Sequence, residues 1–384
     1  MKKRHIYLDY AATCPVDPRV VKAMQPYFFA KAGNNMSLHS DGQRANEAIE
    51  EARKKIVKAI GGKNGKLIFT GSATESNNLA IFGLAAVNKE KKQIIVSAIE
   101  HDCVLNSAKS LEKAGYKLDF LEVDEKGRVK LEQLAKMIGK KTLMVSVMQA
   151  NNEIGTIQDI TKIGEICKKA GAYFHSDAAQ SFGREPIDVE KMGVDLLTLS
   201  SHKIYGPKGV AGLWIRQGVE VKPIIYGGGQ EGGLRSGTMN TAAIVGWGLA
   251  GEIAIKEMKR ENKRLLNLRE KLIEGILKNI SGIKLNGDRN KRLTNNVNIS
   301  FGGIEGESLL LELDNHGVMV STGSACSSAS LAPSHVLMAM GAGAERAHGS
   351  IRFSLGRWTK EEDINYLLKI LPKAVARLRE VSVL

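Results

Sequence analysis

The chain has 384 residues, with 55 Lys+Arg against 41 Asp+Glu, a formal charge of +14, and 43% apolar and 25% charged residues. This is the composition of a folded chain of two or three domains, and it excludes a disordered or low-complexity polymer. No apolar run approaches the ~18 residues of a membrane span, and four widely separated cysteines, Cys14, Cys103, Cys167 and Cys326, exclude a dense disulfide framework and a zinc ribbon.

The first nine residues reach Asp9 too early for a signal peptide, so the expected compartment is the cytoplasm, with no membrane partner. Basic residues are spread along the chain in short clusters such as Lys89/Lys91/Lys92. They read as solvated surface, and direct nucleic-acid binding is not expected.

A helical pattern over 42–60 precedes strand-like runs at 66–70, 93–97, 118–122, 142–147, 173–177 and 196–200, with a further helical stretch at 160–170. Apolar strands alternating with helices predict an α/β fold around a mainly parallel, buried sheet. Beyond residue 240 the pattern changes to a long helix at 242–280, an apolar run at 293–301, a helix at 307–316 and a mostly helical end at 360–384. The expected organisation is a large domain, 16–250, and a smaller α+β domain made of 1–15 plus 251–384.

Ligands of open α/β sheets bind beyond the carboxyl ends of strands, so the residues that follow the strands are the candidates for chemistry. After the first strand comes Thr70-Gly71-Ser72-Ala73-Thr74-Glu75-Ser76-Asn77-Asn78, a helix start suited to a phosphate or simply a capped helix. His101 follows the next strand, where a structural role is the plainer reading, and Asn152 follows the run at 142–147. Asp177 and Gln180 follow 173–177, and an acid there can cap a helix or pair with a ring nitrogen. Ser200-Ser201-His202-Lys203-Ile204-Tyr205-Gly206-Pro207-Lys208-Gly209 closes the series, and its lysine alone could be a loop cation. Together they supply a phosphate cradle, an imidazole, an acid and a lysine able to form a Schiff base. Those are the parts that pyridoxal phosphate requires, and they occur in that chain order.

From Tyr7-Leu8-Asp9-Tyr10-Ala11-Ala12-Thr13 to Ser350-Ile351-Arg352-Phe353-Ser354-Leu355-Gly356, the chain resembles the cysteine desulfurases of the NifS/IscS group, class V in aminotransferase terms. The resemblance implies a fold-type I pyridoxal-phosphate (PLP) enzyme that converts L-cysteine to L-alanine and passes the sulfur to an enzyme cysteine as a persulfide. It implies Lys203 as the lysine bonded to the cofactor, His101 stacked on the ring, Asp177 at the ring nitrogen, and Gln180 and Asn152 near the phenolic oxygen. Ala73, Thr74, Ser200 and His202 would be the phosphate ligands, with Ser201 also among the cofactor-binding residues. Thr238, in the block 227–238, would reach the phosphate of a second subunit, which implies a homodimer. Arg352 would clamp the substrate carboxylate, since its planar fork matches two oxygens.

The small-residue run 320–330 packs little apolar area and suits a mobile loop that carries the thiol of Cys326. Gly323-Ser324-Ala325-Cys326, with Arg352 26 positions later, is similar to the long-loop group that hands sulfur directly to a scaffold protein or thiolation enzyme. Iron–sulfur cluster assembly and tRNA or cofactor thiolation are the implied destinations, with Cys326 also able to ligate a transient [2Fe-2S] cluster shared with a scaffold. Cys14, Cys103 and Cys167 are expected to be structural. Two departures stand out: Gly33-Asn34-Asn35-Met36 lacks the proline usual in this group, and Gly232 replaces a common arginine. Competing readings are a selenocysteine lyase or another PLP lyase or aminotransferase of the same fold, and a sulfur-carrier or scaffold-binding subunit without catalysis.

Overall fold

The computed structural model of the chain describes residues 4–322 and 332–382; Cys326 lies outside them. A short strand β1 (Ile6–Tyr7) is followed by β2 (Gly65–Thr70), β3 (Gln93–Ser97), β4 (Lys117–Leu121), β5 (Thr142–Ser146), β6 (Tyr173–Asp177), β7 (Leu196–Ser200) and β8 (Ala211–Arg216). Strands β2 to β8 form one seven-stranded sheet in the order β2-β8-β7-β6-β5-β3-β4. Its pairs are parallel except those of β8, which runs antiparallel to both β2 and β7. The expected α/β class and mainly parallel sheet are therefore present. Sequence reading passed over β8, and set the ends of β4 and β5 one residue too late.

Alternate side chains of these strands enter different apolar layers. Leu67 and Phe69 join Val145, Leu197, Leu199 and Trp214 on one face, while Ile68 joins Ile94, Val96, Leu213 and Ile215 on the other. Strand side chains alternate with a period of two, so a sheet covered on both faces reads as nearly continuous apolar runs. That is why these strands were legible in the sequence.

The second sheet contains β9 (Ile283–Leu285), β10 (Asn296–Phe301), β12 (Ser321–Thr322) and β13 (Ser350–Ser354), in the order β12-β13-β10-β9, all antiparallel. The segment β11 (Val318–Met319) pairs in parallel with β1. A 39-residue helix, Thr241–Asn279, joins the two regions. Its first half places Ala243, Ile244, Trp247 and Ala250 in the core of the large sheet, and its second half places Leu265, Leu268, Leu272 and Ile276 in a separate core with Val297, Ile299 and Phe353. Fully burying one such large side chain contributes roughly 1.5–3 kcal/mol, so packing at both ends fixes this helix more firmly than propensity does. Among the described residues, no helix is long and apolar enough to cross a membrane.

Candidate active site

The carboxyl ends of β2, β3, β6 and β7 carry most of the expected site residues along one edge of the sheet, with Asn152 in the segment that follows β5. Beyond β2, the helix Ala73–Val87 is capped by Ser72, whose side chain accepts from the Glu75 N–H at 3.1 Å. This cap leaves the N–H groups of Ala73 and Thr74 at the open, partially positive end of the helix. The Glu75 carboxylate is itself engaged, by Gly71 N–H at 2.8 Å and by Arg235 at 2.8 Å.

His101 caps the next helix, Asp102–Lys113: its Nδ1 accepts from the Cys103 N–H at 3.2 Å, and Cys103 Sγ lies 3.0 Å from the same nitrogen. Asp177, at the end of β6, is buried. Its Oδ1 accepts from Ala179 N–H at 2.8 Å, and its Oδ2 from Asn77 Nδ2 at 2.7 Å. Glu100, fully buried beside this region, accepts from Met148 N–H at 2.7 Å, and burial pushes its carboxyl well above the ordinary range.

The segment after β7 turns sharply, with Tyr205 in the left-handed region at φ 65° closing the 3-10 turn His202–Ile204. This turn delivers the Lys203 amine to the carbonyls of Ala11 and Ala12, at 2.5 and 2.7 Å. Gln180 Nε2 donates to the same Ala11 carbonyl at 2.9 Å. The N-terminal segment thus crosses the site: His202 Nδ1 lies 3.0 Å from Thr13 Oγ1, and Cys14 Sγ is 3.2 Å from the Lys203 carbonyl. Burial, together with the charge of Lys203, pushes the His202 imidazole down to about 4, so it is neutral at pH 7 and can accept or donate one hydrogen bond.

Arg352 comes from β13, where it is nearly fully buried; it donates to the Asn152 carbonyl at 3.0 Å and pairs with Asp9 at 2.8 Å. The sheet edge, the N-terminal segment and the second sheet therefore meet at this point. Thr238 is exposed. Gly232 takes φ 64°, a left-handed conformation that glycine adopts without steric cost. Among the described residues no cluster of three or more His, Cys, Asp or Glu is arranged to hold a metal. Cys326, the expected cluster ligand and sulfur acceptor, lies outside the described residues.

A family model for class V aminotransferases matches residues 6–367. The chain belongs to the class V aminotransferase family. It is 53% identical over 377 residues to cysteine desulfurase IscS 1 of Archaeoglobus fulgidus, spanning 98% of both chains. With cysteine desulfurase IscS of Dictyoglomus turgidum it shares 51% identity over 381 residues, 99% of this chain and 97% of the relative. Among solved structures, a NifS-like protein aligns with a TM-score of 0.91 at 39% identity, covering 97% of this chain and all of that one. An apo cysteine desulfurase from Thermococcus onnurineus aligns at 0.87 and 28% identity, covering 97% and 95%.

The donor set fits the cofactor of this family. Ser201 Oγ is buried with no hydrogen-bond partner among the described residues, the kind of orphan that a phosphate oxygen would satisfy. The Ala73 and Thr74 N–H groups, the carboxylate of Asp177 and the amine of Lys203 supply the remaining functions of a phosphorylated pyridine aldehyde site. Sequence reading missed four participants: Asp9, Asn77, Cys103 and the backbone of Ala11–Ala12. Asn77 was visible inside the quoted helix start but looked like an ordinary capping-region residue. Asp9 and Ala11–Ala12 act through contacts between residues distant in sequence, and Cys103 through its contacts with His101 and Asn77.

Proposed function

We propose that this chain is a PLP-dependent cysteine desulfurase that takes sulfur from L-cysteine and hands it on as a persulfide of Cys326. The reading is carried by the meeting of Lys203, His101 and Asp177 at one sheet edge, in a chain about half identical to proteins named cysteine desulfurase. When bound, pyridoxal phosphate bonds a primary amine and draws electron density from the substrate's Cα. Ala73, Thr74, Ser200, Ser201 and His202 would hold its phosphate, Asp177 its ring nitrogen, and Asn152 and Gln180 the phenolic side.

The residues of the chain then have defined tasks. Arg352 holds the substrate carboxylate, the Lys203 amine removes the Cα proton, and His101 moves a proton at sulfur or carbon. Cys326 as a thiolate attacks the substrate sulfur: an S–S bond forms, the Cβ–S bond breaks with its electron pair left on the substrate, and a proton delivered to Cβ together with return of the proton to Cα yields alanine. A free thiol with a pKa of roughly 8.5 is mostly protonated at neutral pH, so deprotonation belongs to this step.

We also read the chain as a large domain, 16–250, and a small domain, 1–15 plus 251–384, which the separate cores on the two halves of the long helix support. A homodimer with Thr238 serving the partner's phosphate is supported by its exposure and by Phe29, Leu38 and Tyr226, each 80% exposed or more. The sulfur acceptor would be an iron–sulfur scaffold or a thiolation enzyme, with Cys326 able to share a [2Fe-2S] cluster with the former.

The test is to incubate purified protein with cysteine and a thiol reductant and to assay alanine and sulfide for wild type and Cys326→Ala. Equal release of both is expected for wild type and a large loss for the variant. Turnover that survives Cys326→Ala would sink the persulfide route and favour a lyase.

A further inference from the structure

His101 and Asp177, expected on different parts of the cofactor ring, are joined by two side chains to which no role has been given. Asn77 Nδ2 lies 2.7 Å from Asp177 Oδ2 and 3.0 Å from Cys103 Sγ, and Cys103 Sγ lies 3.0 Å from His101 Nδ1. We infer that Asn77 and Cys103 form a hydrogen-bonded bridge that positions Asp177 and His101 for the reaction. The inference rests on the functional reading above for what that positioning serves.

The directions of the bonds follow from the donor inventory. An amide nitrogen carries two hydrogens and accepts none, so Asn77 Nδ2 gives one to the Asp177 carboxylate and one to the Cys103 sulfur. The thiol, having accepted, has its own proton to give, and His101 Nδ1 is the neighbouring acceptor. That nitrogen also accepts from the Cys103 N–H at 3.2 Å, which marks it as unprotonated. The neutral imidazole therefore carries its proton on Nε2. At the other end, Ala179 N–H at 2.8 Å holds Asp177 Oδ1, so both oxygens of the carboxylate are fixed.

Burial makes this bridge more than a surface contact. Asn77 is fully buried on the helix Ala73–Val87, and its Oδ1 has no hydrogen-bond partner among the described residues. An amide buried with an unpaired oxygen costs free energy, which bonds to a charged carboxylate offset. An apolar side chain would fill the same space without that cost. Holding Asp177 is what the amide adds. Cys103 is half-buried on the Asp102–Lys113 helix, and its thiol meets the side chain of a site residue, His101, which gives it a positioning role beyond the structural one expected.

The experiment uses the full chain labelled with 15N-histidine, with the His101 signals assigned by His101→Gln, and separately measures the equilibrium affinity of the cofactor-free protein for pyridoxal phosphate. Wild type is expected to show an unprotonated Nδ1 and a protonated Nε2. In Cys103→Ala the Nδ1 resonance moves downfield, as an acceptor losing a hydrogen bond does, and Cys103→Ser, which keeps a donor and an acceptor, restores it. Asn77→Ala and Asn77→Leu each weaken pyridoxal phosphate binding by roughly tenfold or more, the scale of a hydrogen bond to a charged group. A proton on Nδ1 in wild type, or a Nδ1 resonance unmoved in Cys103→Ala, overturns the bridge, as does cofactor affinity within twofold of wild type in both Asn77 variants. If wild type itself fails to bind pyridoxal phosphate, the functional reading falls, while the imidazole spectra still judge the bridge.

Discussion

Arg352 already holds a carboxylate: its Nη2 lies 2.8 Å from Asp9 Oδ1, in a setting where the arginine side chain is 3% exposed. In the proposed role of Arg352, a substrate carboxylate would share or take over a guanidinium that is already paired and aimed. Arg352→Lys keeps the charge but loses the planar fork. It is expected to raise KM for cysteine about tenfold, the loss of one charge-assisted hydrogen bond, while the absorbance of the bound cofactor stays as in wild type. Steady-state kinetics over a range of cysteine concentrations checks this, and an unchanged KM removes Arg352 from the substrate site.

Lys203 is tied to the N-terminal segment through the Ala11 and Ala12 carbonyls. Lys203→Ala should abolish the visible absorbance of lysine-bound cofactor and lower desulfuration at least a hundredfold, the usual scale of a lost acid–base group. It should also loosen residues 9–13, so protease cleavage of the N-terminal segment should become faster. A variant that keeps both the absorbance and the rate would place the cofactor lysine elsewhere, Lys208 being the neighbouring choice in sequence.

Glu153 is buried beside Ser334, whose hydroxyl donates to it at 2.5 Å, and burial pushes its carboxyl up to about 7 despite the Ser334 bond and the charge of Arg352. The folded chain thus holds a proton here that the unfolded chain releases near the ordinary value of 4.5. The resulting stabilisation is complete below pH 4.5 and is lost as pH rises through about 7, in total about 3 kcal/mol. His175, pushed down to about 4 by burial, works the other way: its contribution is present above 6.5 and fades as pH falls to about 4. Wild type alone therefore mixes the two. The difference between wild type and Glu153→Gln isolates the glutamate. Urea unfolding should find the variant similar to wild type at pH 4 and about 3 kcal/mol more stable at pH 8. A difference that does not change with pH would show that burial leaves the Glu153 carboxyl at its ordinary value.

What the sequence disclosed follows from what is local. Strands β3, β5, β6 and β7 are buried on both faces and read as apolar runs, so the polar residues that follow them, His101, Asn152, Asp177 and Lys203, could be picked out by position. Strand β8 escaped because Ala211-Gly212-Leu213-Trp214-Ile215-Arg216 follows a turn-rich stretch with no intervening helix, which breaks the βαβ rhythm. Asp9 and Ala11 could not be placed by any pattern: their partners Arg352 and Lys203 lie 343 and 192 residues away. The contact of Cys103 with His101 is not legible in the sequence, because a thiol two residues from a histidine shows its direction only once the helix cap at His101 is formed.

Gly206 tests how tightly the turn after Lys203 is built. A Cβ there would collide with Ser201 Oγ and would lie 3.2 Å from the Ala250 side chain, so the serine assigned to the phosphate cradle would have to move. Gly206→Ala is therefore expected to destabilise the fold by about 1–3 kcal/mol, as overpacking of a filled site does, and to weaken pyridoxal phosphate binding as well. Gly139→Ala is the control, because nothing lies within 4 Å of its added carbon and its φ is not in the left-handed region. Denaturant midpoints and cofactor affinity should separate the pair, with Gly139→Ala indistinguishable from wild type in both. If Gly206→Ala lost stability but bound cofactor normally, Ser201 would have room to move without loss, and its place in the cradle would have to be given up.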